Sequence, residues 1–328
     1  MRLPGQIHSC LLASIAFVLL FTVMCGTVFA AGIEDRQAAV RPWSVSLQTR
    51  YFFQSRTSYE FGNPFPPHQA PLSRLEFPLD SWWAGASMRR EFSRFSAGVE
   101  FFRNLSDEAR GVMMDSDWDD AAQPALKTIY SESSCRMEPS YRVRADADLK
   151  ISDWIGLPGW LDLRPLAGLA WQRFTLVTHD GFQSEIGKGT ELLPGDGIRF
   201  EQTYWQFFTG LKTTFELGKP FHLTRLAFTM QGDWAYVAGS NEDHHLLRTG
   251  NRITREKTTG DAWHALVNLK IGFTQNLSAN IGAEYLRIKS TGSHNLTNNI
   301  FDIDFTFDHG VKVWSEQWSV ATGLEYRF

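Results

Sequence analysis

The feature that most constrains this chain is a strict alternation along long segments. Near the C-terminus Trp314, Trp318, Val320, Thr322, Leu324, Tyr326 and Phe328 share one parity, and Ser315, Gln317, Ser319, Ala321, Gly323, Glu325 and Arg327 the other. Side chains of a β-strand point alternately to its two faces, so this is a strand with one greasy and one wet face. Trp205, Phe207, Thr209, Leu211, Thr213, Phe215 and Leu217 repeat the pattern, as do Trp263, Ala265, Val267, Leu269, Ile271 and Phe273, and it recurs roughly ten times. Aromatic residues, 14% of the chain, concentrate on the apolar side. An all-β fold follows, and the segments run to roughly 15 residues or more, against the 5–6 usual in soluble sheets.

The segment from Tyr141 to Ile151 fixes which face is which. Tyr141, Val143, Ala145, Ala147, Leu149 and Ile151 alternate with Arg142, Arg144, Asp146, Asp148 and Lys150. In a membrane, the reversed register would put three basic side chains into lipid at about 2–4 kcal/mol each. The charges therefore face an interior, while a soluble sandwich with the apolar face inward remains compatible with alternation alone. Connections decide for the membrane. Short ones near residues 92–94, 153–159, 218–220 and 274–276 alternate with long ones near 62–71, 112–137, 181–199, 241–257 and 292–308. Four short turns and five long loops make a ten-stranded antiparallel transmembrane β-barrel, with the turns periplasmic and the long loops external. A barrel of this size has an interior filled largely by side chains, which excludes general diffusion as its work. The terminal Phe328 also suits handover to outer-membrane assembly.

Export is expected from the N-terminus, where Arg2 precedes the apolar run from Leu11 to Ala31, ending in Val28-Phe29-Ala30. Residues 1–30 are read as a signal peptide and 31–328 as the barrel domain. No later stretch has the roughly 18 apolar residues of a membrane helix. Of three cysteines, Cys10 and Cys25 fall in the leader and Cys135 stands alone, so there is no disulfide framework. Met24 before Cys25 speaks against lipid attachment. The net charge of −4, with no basic segment, excludes nucleic acid as a partner.

Two clusters carry candidate chemistry. In Met114-Asp115-Ser116-Asp117-Trp118-Asp119-Asp120 the alternate residues Asp115 and Asp117 present paired carboxylates to one side, and like charges that close push one pKa up. An EF-type calcium loop from Asp115 would need Gly at 120 and Glu at 126, where this chain has Asp120 and Leu126. In Asn241-Glu242-Asp243-His244-His245, Asp243 and His245 share a parity, so a carboxylate can orient an imidazole that serves as a general base. Zinc binding by the histidines competes with this reading, without the i, i+4 spacing of a helical site. Taken singly, each cluster is read more readily as solvated loop residues than as a site.

Together with Gly250-Asn251-Arg252-Ile253-Thr254, the two clusters resemble the omptin family of outer-membrane proteases, over essentially the whole mature chain. The resemblance implies a cleft at the external mouth of the barrel. There His245 is the general base, Asp243 its orienting partner, and Asp115 and Asp117 the opposing pair that holds the nucleophilic water, with no covalent intermediate. Ser133, at about the place of a family serine, has no base beside it and is read as structural. Glu60, in Tyr59-Glu60-Phe61, resembles the acid that binds a basic substrate side chain, within one residue of alignment. Where the family tends to have a second pocket acid this chain has Asn241, with Glu242 adjacent. Losing one of two carboxylates removes a charge-assisted interaction worth about 1.5–3 kcal/mol, so a preference for Arg or Lys does not follow from the resemblance.

Lipopolysaccharide, implied as an activator, would meet Arg173 in Gln172-Arg173-Phe174 on the outer wall, where an interfacial snorkelling role explains the residue equally well. No cofactor or metal is expected. The expected partners are a peptide or protein substrate and outer-membrane lipid, and the expected state is a monomer, since a closed barrel has no free edge. The competing reading is a non-catalytic surface barrel, an adhesin or structural protein whose specificity residues drifted.

Overall fold

The computed structural model describes residues 42–328 apart from Pro64, Pro67, Phe221 and Asn251; the expected signal peptide lies outside the described residues. All regular elements among them are β-strands. β1 (Trp43–Phe61) leads to β2 (Ser73–Pro78) and β3 (Trp82–Glu91), then β4 (Phe95–Asn104) and β5 (Glu108–Asp117), and β6 (Ile129–Met137) and β7 (Tyr141–Leu149). The remaining six are β8 (Leu161–Glu185), β9 (Gly189–Gly218), β10 (Arg225–His245), β11 (Arg252–Gly272), β12 (Leu277–Asn298) and β13 (Ile303–Arg327).

A short break divides each of three long strands into two segments, β2 with β3, β4 with β5, and β6 with β7. β1 pairs with β3 along its first half and with β2 along its second, and β8 divides its partners between β7 and β6 in the same way. β13 pairs back onto β1, so the ring closes with ten antiparallel strands around it, the number expected. The long connections are shorter than sequence suggested. Asp115 and Asp117 end β5, Asp243 and His245 end β10, and the ladder between β10 and β11 continues to His245↔Arg252. The polar composition of these stretches had signalled loops; they are strands that continue past the apolar band, where no lipid demands an apolar outer face.

That band is legible on the outer wall. Trp82, Trp205, Trp234, Trp263 and Trp318 are exposed well along their strands from the short turns, and Trp160, Phe273 and Phe328 are exposed near those turns. From Trp318 to Phe328 is about ten residues of tilted strand, the roughly 25 Å of an apolar membrane band between aromatic girdles. The charges of β7 point inward, as their register required: Arg142 binds Glu284, and Arg144 lies 2.9 Å from Asp233.

The interior is filled in layers. Nearest the turns, Asp148 gathers Arg89, Arg164 and Lys212. Above it Glu284 takes Arg50 at 2.5 Å and Arg142, with His264 bridging to Asp233 at 2.7 Å. An aromatic layer follows, with Phe52 and Phe174 edge-on to Trp83, and Phe77 stacked on Phe200 at 4.3 Å. The cleft lies on this aromatic floor.

Candidate active site

The site is assembled by strand ends, and cross-strand register places each side chain. Asp243 is fully buried, and His245, two residues on, brings Nε2 to 3.1 Å from its Oδ2. Tyr59 on β1 donates its hydroxyl to the same carboxylate oxygen and stacks on Phe200, with ring centroids 5.6 Å apart. Leu75 on β2 lies between Tyr59 and Asp115 in register, so Asp115 and Asp117 face the same interior as Asp243 from the opposite wall. All four predicted catalytic residues therefore line one cleft, above the apolar band.

Electrostatics divides them into roles. Burial, reinforced by the Asp117 charge, pushes the Asp115 carboxyl up to about 7, and burial also raises Asp117. Burial opposes ionisation of Asp243, yet the His245 charge and the hydrogen bonds from His245 and Tyr59 hold it below the usual carboxylate range. Burial likewise disfavours the charged His245, but Asp243 outweighs it and the imidazole sits above its ordinary value. An ionised acid holding an imidazole, opposite a carboxyl that titrates near neutrality, is a proton-relay arrangement, since groups with pKa near the working pH transfer protons best. One oxygen of Asp115 and one of Asp243 are buried without a protein partner.

Three side chains of this cleft had no role in the sequence reading. Tyr59 was hidden beside Glu60. Arg252 faces inward in register with His245, its Nε is buried without a partner, and its charge favours ionisation of Asp115, Asp117 and Asp243. Glu256, also on β11, lies in register with Asn241. Shared parity with Asp243 and His245 in register was the available signal for Arg252 and Glu256, and none marked Tyr59.

Two predicted substrate-binding residues are not brought to the cleft. A bulge between Phe53 and Arg56 shifts the register of β1. Below it even-numbered side chains such as Arg50 and Phe52 point inward; above it Thr57 and Tyr59 do. Such a slip sends every later side chain to the other face. Glu60 therefore turns away, bound by Arg74 at 2.5 and 2.9 Å and facing Lys312 at 3.4 Å. Glu242 points outward by its own parity and pairs with Arg255 at 2.8 Å. Asn241 does face inward, 5% exposed, one residue pair below Asp243. Arg173 is on the outer wall just above Trp171, its guanidinium 2.5 Å from Glu201. Cys135 is buried within the core.

A closed ten-stranded barrel with an Asp–His pair facing an Asp pair at one mouth defines the class by its architecture: a transmembrane β-barrel with a polar cleft at one end. Residues 82–328 match the sequence profile of the Omptin family, and the chain belongs to that family. Among solved structures, the outer membrane protease OmpT from Escherichia coli aligns with 88% of this chain and 97% of its own at 15% identity, with a TM-score of 0.75. The translocator domain of the autotransporter NalP from Neisseria meningitidis covers 95% of this chain and 98% of its own at 9% identity, with a TM-score of 0.36. A comparison with curated proteins found no match.

Proposed function

We propose that this chain is an outer-membrane endopeptidase whose cleft faces the cell exterior and cuts peptides or surface-exposed proteins with an activated water. The observation that carries the reading is the Asp243–His245 pair at 3.1 Å, buttressed by Tyr59 and facing Asp115 across the cleft. Neutral His245 takes a proton from water held against Asp115 and Asp117, and the oxygen attacks the scissile carbonyl carbon. Imidazolium forms beside ionised Asp243, which stabilises it. The tetrahedral intermediate collapses when a proton reaches the leaving amine, from His245 or from Asp115, whose pKa of about 7 suits it to give and retake one. No acyl-enzyme is formed.

Family membership supports the outer-membrane setting. On this reading Arg173, now paired with Glu201 just above the outer girdle, exchanges that carboxylate for a lipopolysaccharide phosphate, the expected activator. The test is cleavage of a mixed peptide library by refolded protein with and without lipopolysaccharide. Asp115→Ala and His245→Ala should each lose at least about 100-fold in kcat/KM, the usual minimum for removing a positioned acid or base. A folded wild type that cleaves nothing under either condition would favour the non-catalytic barrel.

A further inference from the structure

Attack of water on a peptide carbonyl drives an electron pair onto the carbonyl oxygen, and the reaction is fast only where a fixed donor or cation meets that charge as it forms. The two walls of the cleft differ in what they offer it. Asp115 and Asp117 on β5 are carboxyl groups that repel a developing oxyanion, so the oxygen of a carbonyl attacked from that side has to turn towards β10 and β11. His245↔Arg252 is the last register pair of that wall, which puts the two side chains on one face with Cβ atoms about 5 Å apart.

Arg252 is the cation at this place without a carboxylate of its own. Arg74 is held by Glu60, Arg255 by Glu242 and Arg56 by Glu76, and Arg248 is exposed on the segment beyond β10. Arg252 is half-buried; its buried Nε has no hydrogen-bond partner, and it forms no ion pair among the described residues. Its charge nevertheless favours ionised Asp115, Asp117 and Asp243, so it faces all three without being bound by any. The backbone before it is fixed. Gly250 has φ of 90°, and a Cβ there would collide with Asn298 Oδ1. Asn298 Nδ2 donates to Thr249 O at 3.1 Å, and Asn299 N donates to Gly250 O at 2.9 Å. The entry into β11 is thereby pinned to the end of β12, as a preorganised donor requires.

We propose that Arg252 is the catalytic residue that stabilises the oxyanion, its guanidinium donating to the scissile carbonyl oxygen beside His245. The proposal rests on the protease reading. As the water oxygen bonds to the carbonyl carbon, His245 takes the water proton and the C=O pair withdraws to oxygen, where the N–H groups of Arg252 meet it. On collapse that pair re-forms C=O, the C–N bond breaks, and the amine leaves with a proton. A guanidinium is charged at every working pH, so Arg252 supplies charge and donors and moves no proton.

The experiment follows one cleaved peptide and its phosphinic analogue, in which a tetrahedral phosphinate and a methylene replace the scissile amide, with protein refolded in lipopolysaccharide. Arg252→Gln should lose about 100- to 1000-fold in plateau kcat, the usual loss for one oxyanion donor, with KM changed less than about threefold. The phosphinic analogue, an anion like the transition state, should bind more weakly in proportion to the loss of kcat/KM. Losing this cation also raises His245 further and moves the acid limb to higher pH, which is why kcat is read on the plateau. Arg252→Lys keeps the charge without the fork and should fall between, about tenfold below wild type in both readouts. Unchanged plateau kcat in folded Arg252→Gln, or a loss carried by KM, overturns the proposal and leaves the protease reading intact. Lost kcat with undiminished phosphinic binding overturns it too, and makes Arg252 a residue that positions His245. Should Arg252→Gln not fold, wild-type kcat or wild-type phosphinic binding in Arg252→Lys overturns it. Absence of cleavage by folded wild type, with or without lipopolysaccharide, overturns the protease reading and this proposal with it.

Discussion

At the scale of single residues, the cleft sets activity and stability against each other along the pH axis. On the proposed mechanism His245 must be neutral to accept a proton, and its pKa is raised, so kcat/KM should climb as pH rises through the neutral range and fall in mild acid. Stability has the opposite sense. A group whose folded pKa is raised contributes stability fully below its unfolded value and loses it as pH passes the folded one. Both His245 and Asp115 are of this kind, so the cleft contributes more stability near pH 5 than near pH 8. Thermal unfolding at those two values should show the difference, and Asp115→Asn should shrink it. Asp117→Asn tests the coupling: with the neighbouring charge gone, Asp115 ionises at lower pH, and its limb in the kcat/KM profile should move about one pH unit towards acid. An unmoved limb would mean that burial alone sets Asp115.

At the scale of elements, the bulge in β1 decides which side chains the cleft receives. Gln54 adopts φ of 49°, and the amides of Gln54 and Ser55 donate to the Asp80 carboxylate at 2.9 and 2.7 Å. Asp80 sits in the break between β2 and β3, so one side chain ties the extra residue of β1 to the place where its partner strand is interrupted. Asp80→Ala should cost about 2–3 kcal/mol in urea unfolding, since charge-assisted bonds to two backbone amides disappear together. It should also lower activity, by loosening the register that aims Tyr59 at Asp243. The same bulge explains what sequence did and did not reveal. Alternation made the ten strands, the inward charges of β7 and the parity pairs Asp115/Asp117 and Asp243/His245 legible, because each depends on period two within one unbroken segment. Glu60 and Tyr59 were exchanged because one extra residue inverts parity and leaves no mark in composition. Glu256 and Arg252 went unassigned because their meaning lies in a cross-strand register that no local motif states.

At the scale of the whole molecule, the barrel is a plugged cylinder with a cleft built on top. The Asp148 and Glu284 clusters and the aromatic floor fill the interior beneath the site, so reconstituted protein should show no single-channel conductance steps in planar bilayers. Glu284 holds Arg50, Arg142 and His264. Glu284→Ala would leave buried guanidinium groups without their acid, and a loss of about 3–5 kcal/mol in urea unfolding is expected. A loss below about 1 kcal/mol would mean that the layer rearranges freely. The strands' continuation past the apolar band has a further consequence. Because the side chains proposed to react ride on strand ends, the segments that link those strands form a detachable rim. On the proposed reading, segments 118–128 and 246–250 can be transplanted between relatives or lengthened to reach bulkier prey while the groups beneath stay in place, so diversification of targets needs no new site.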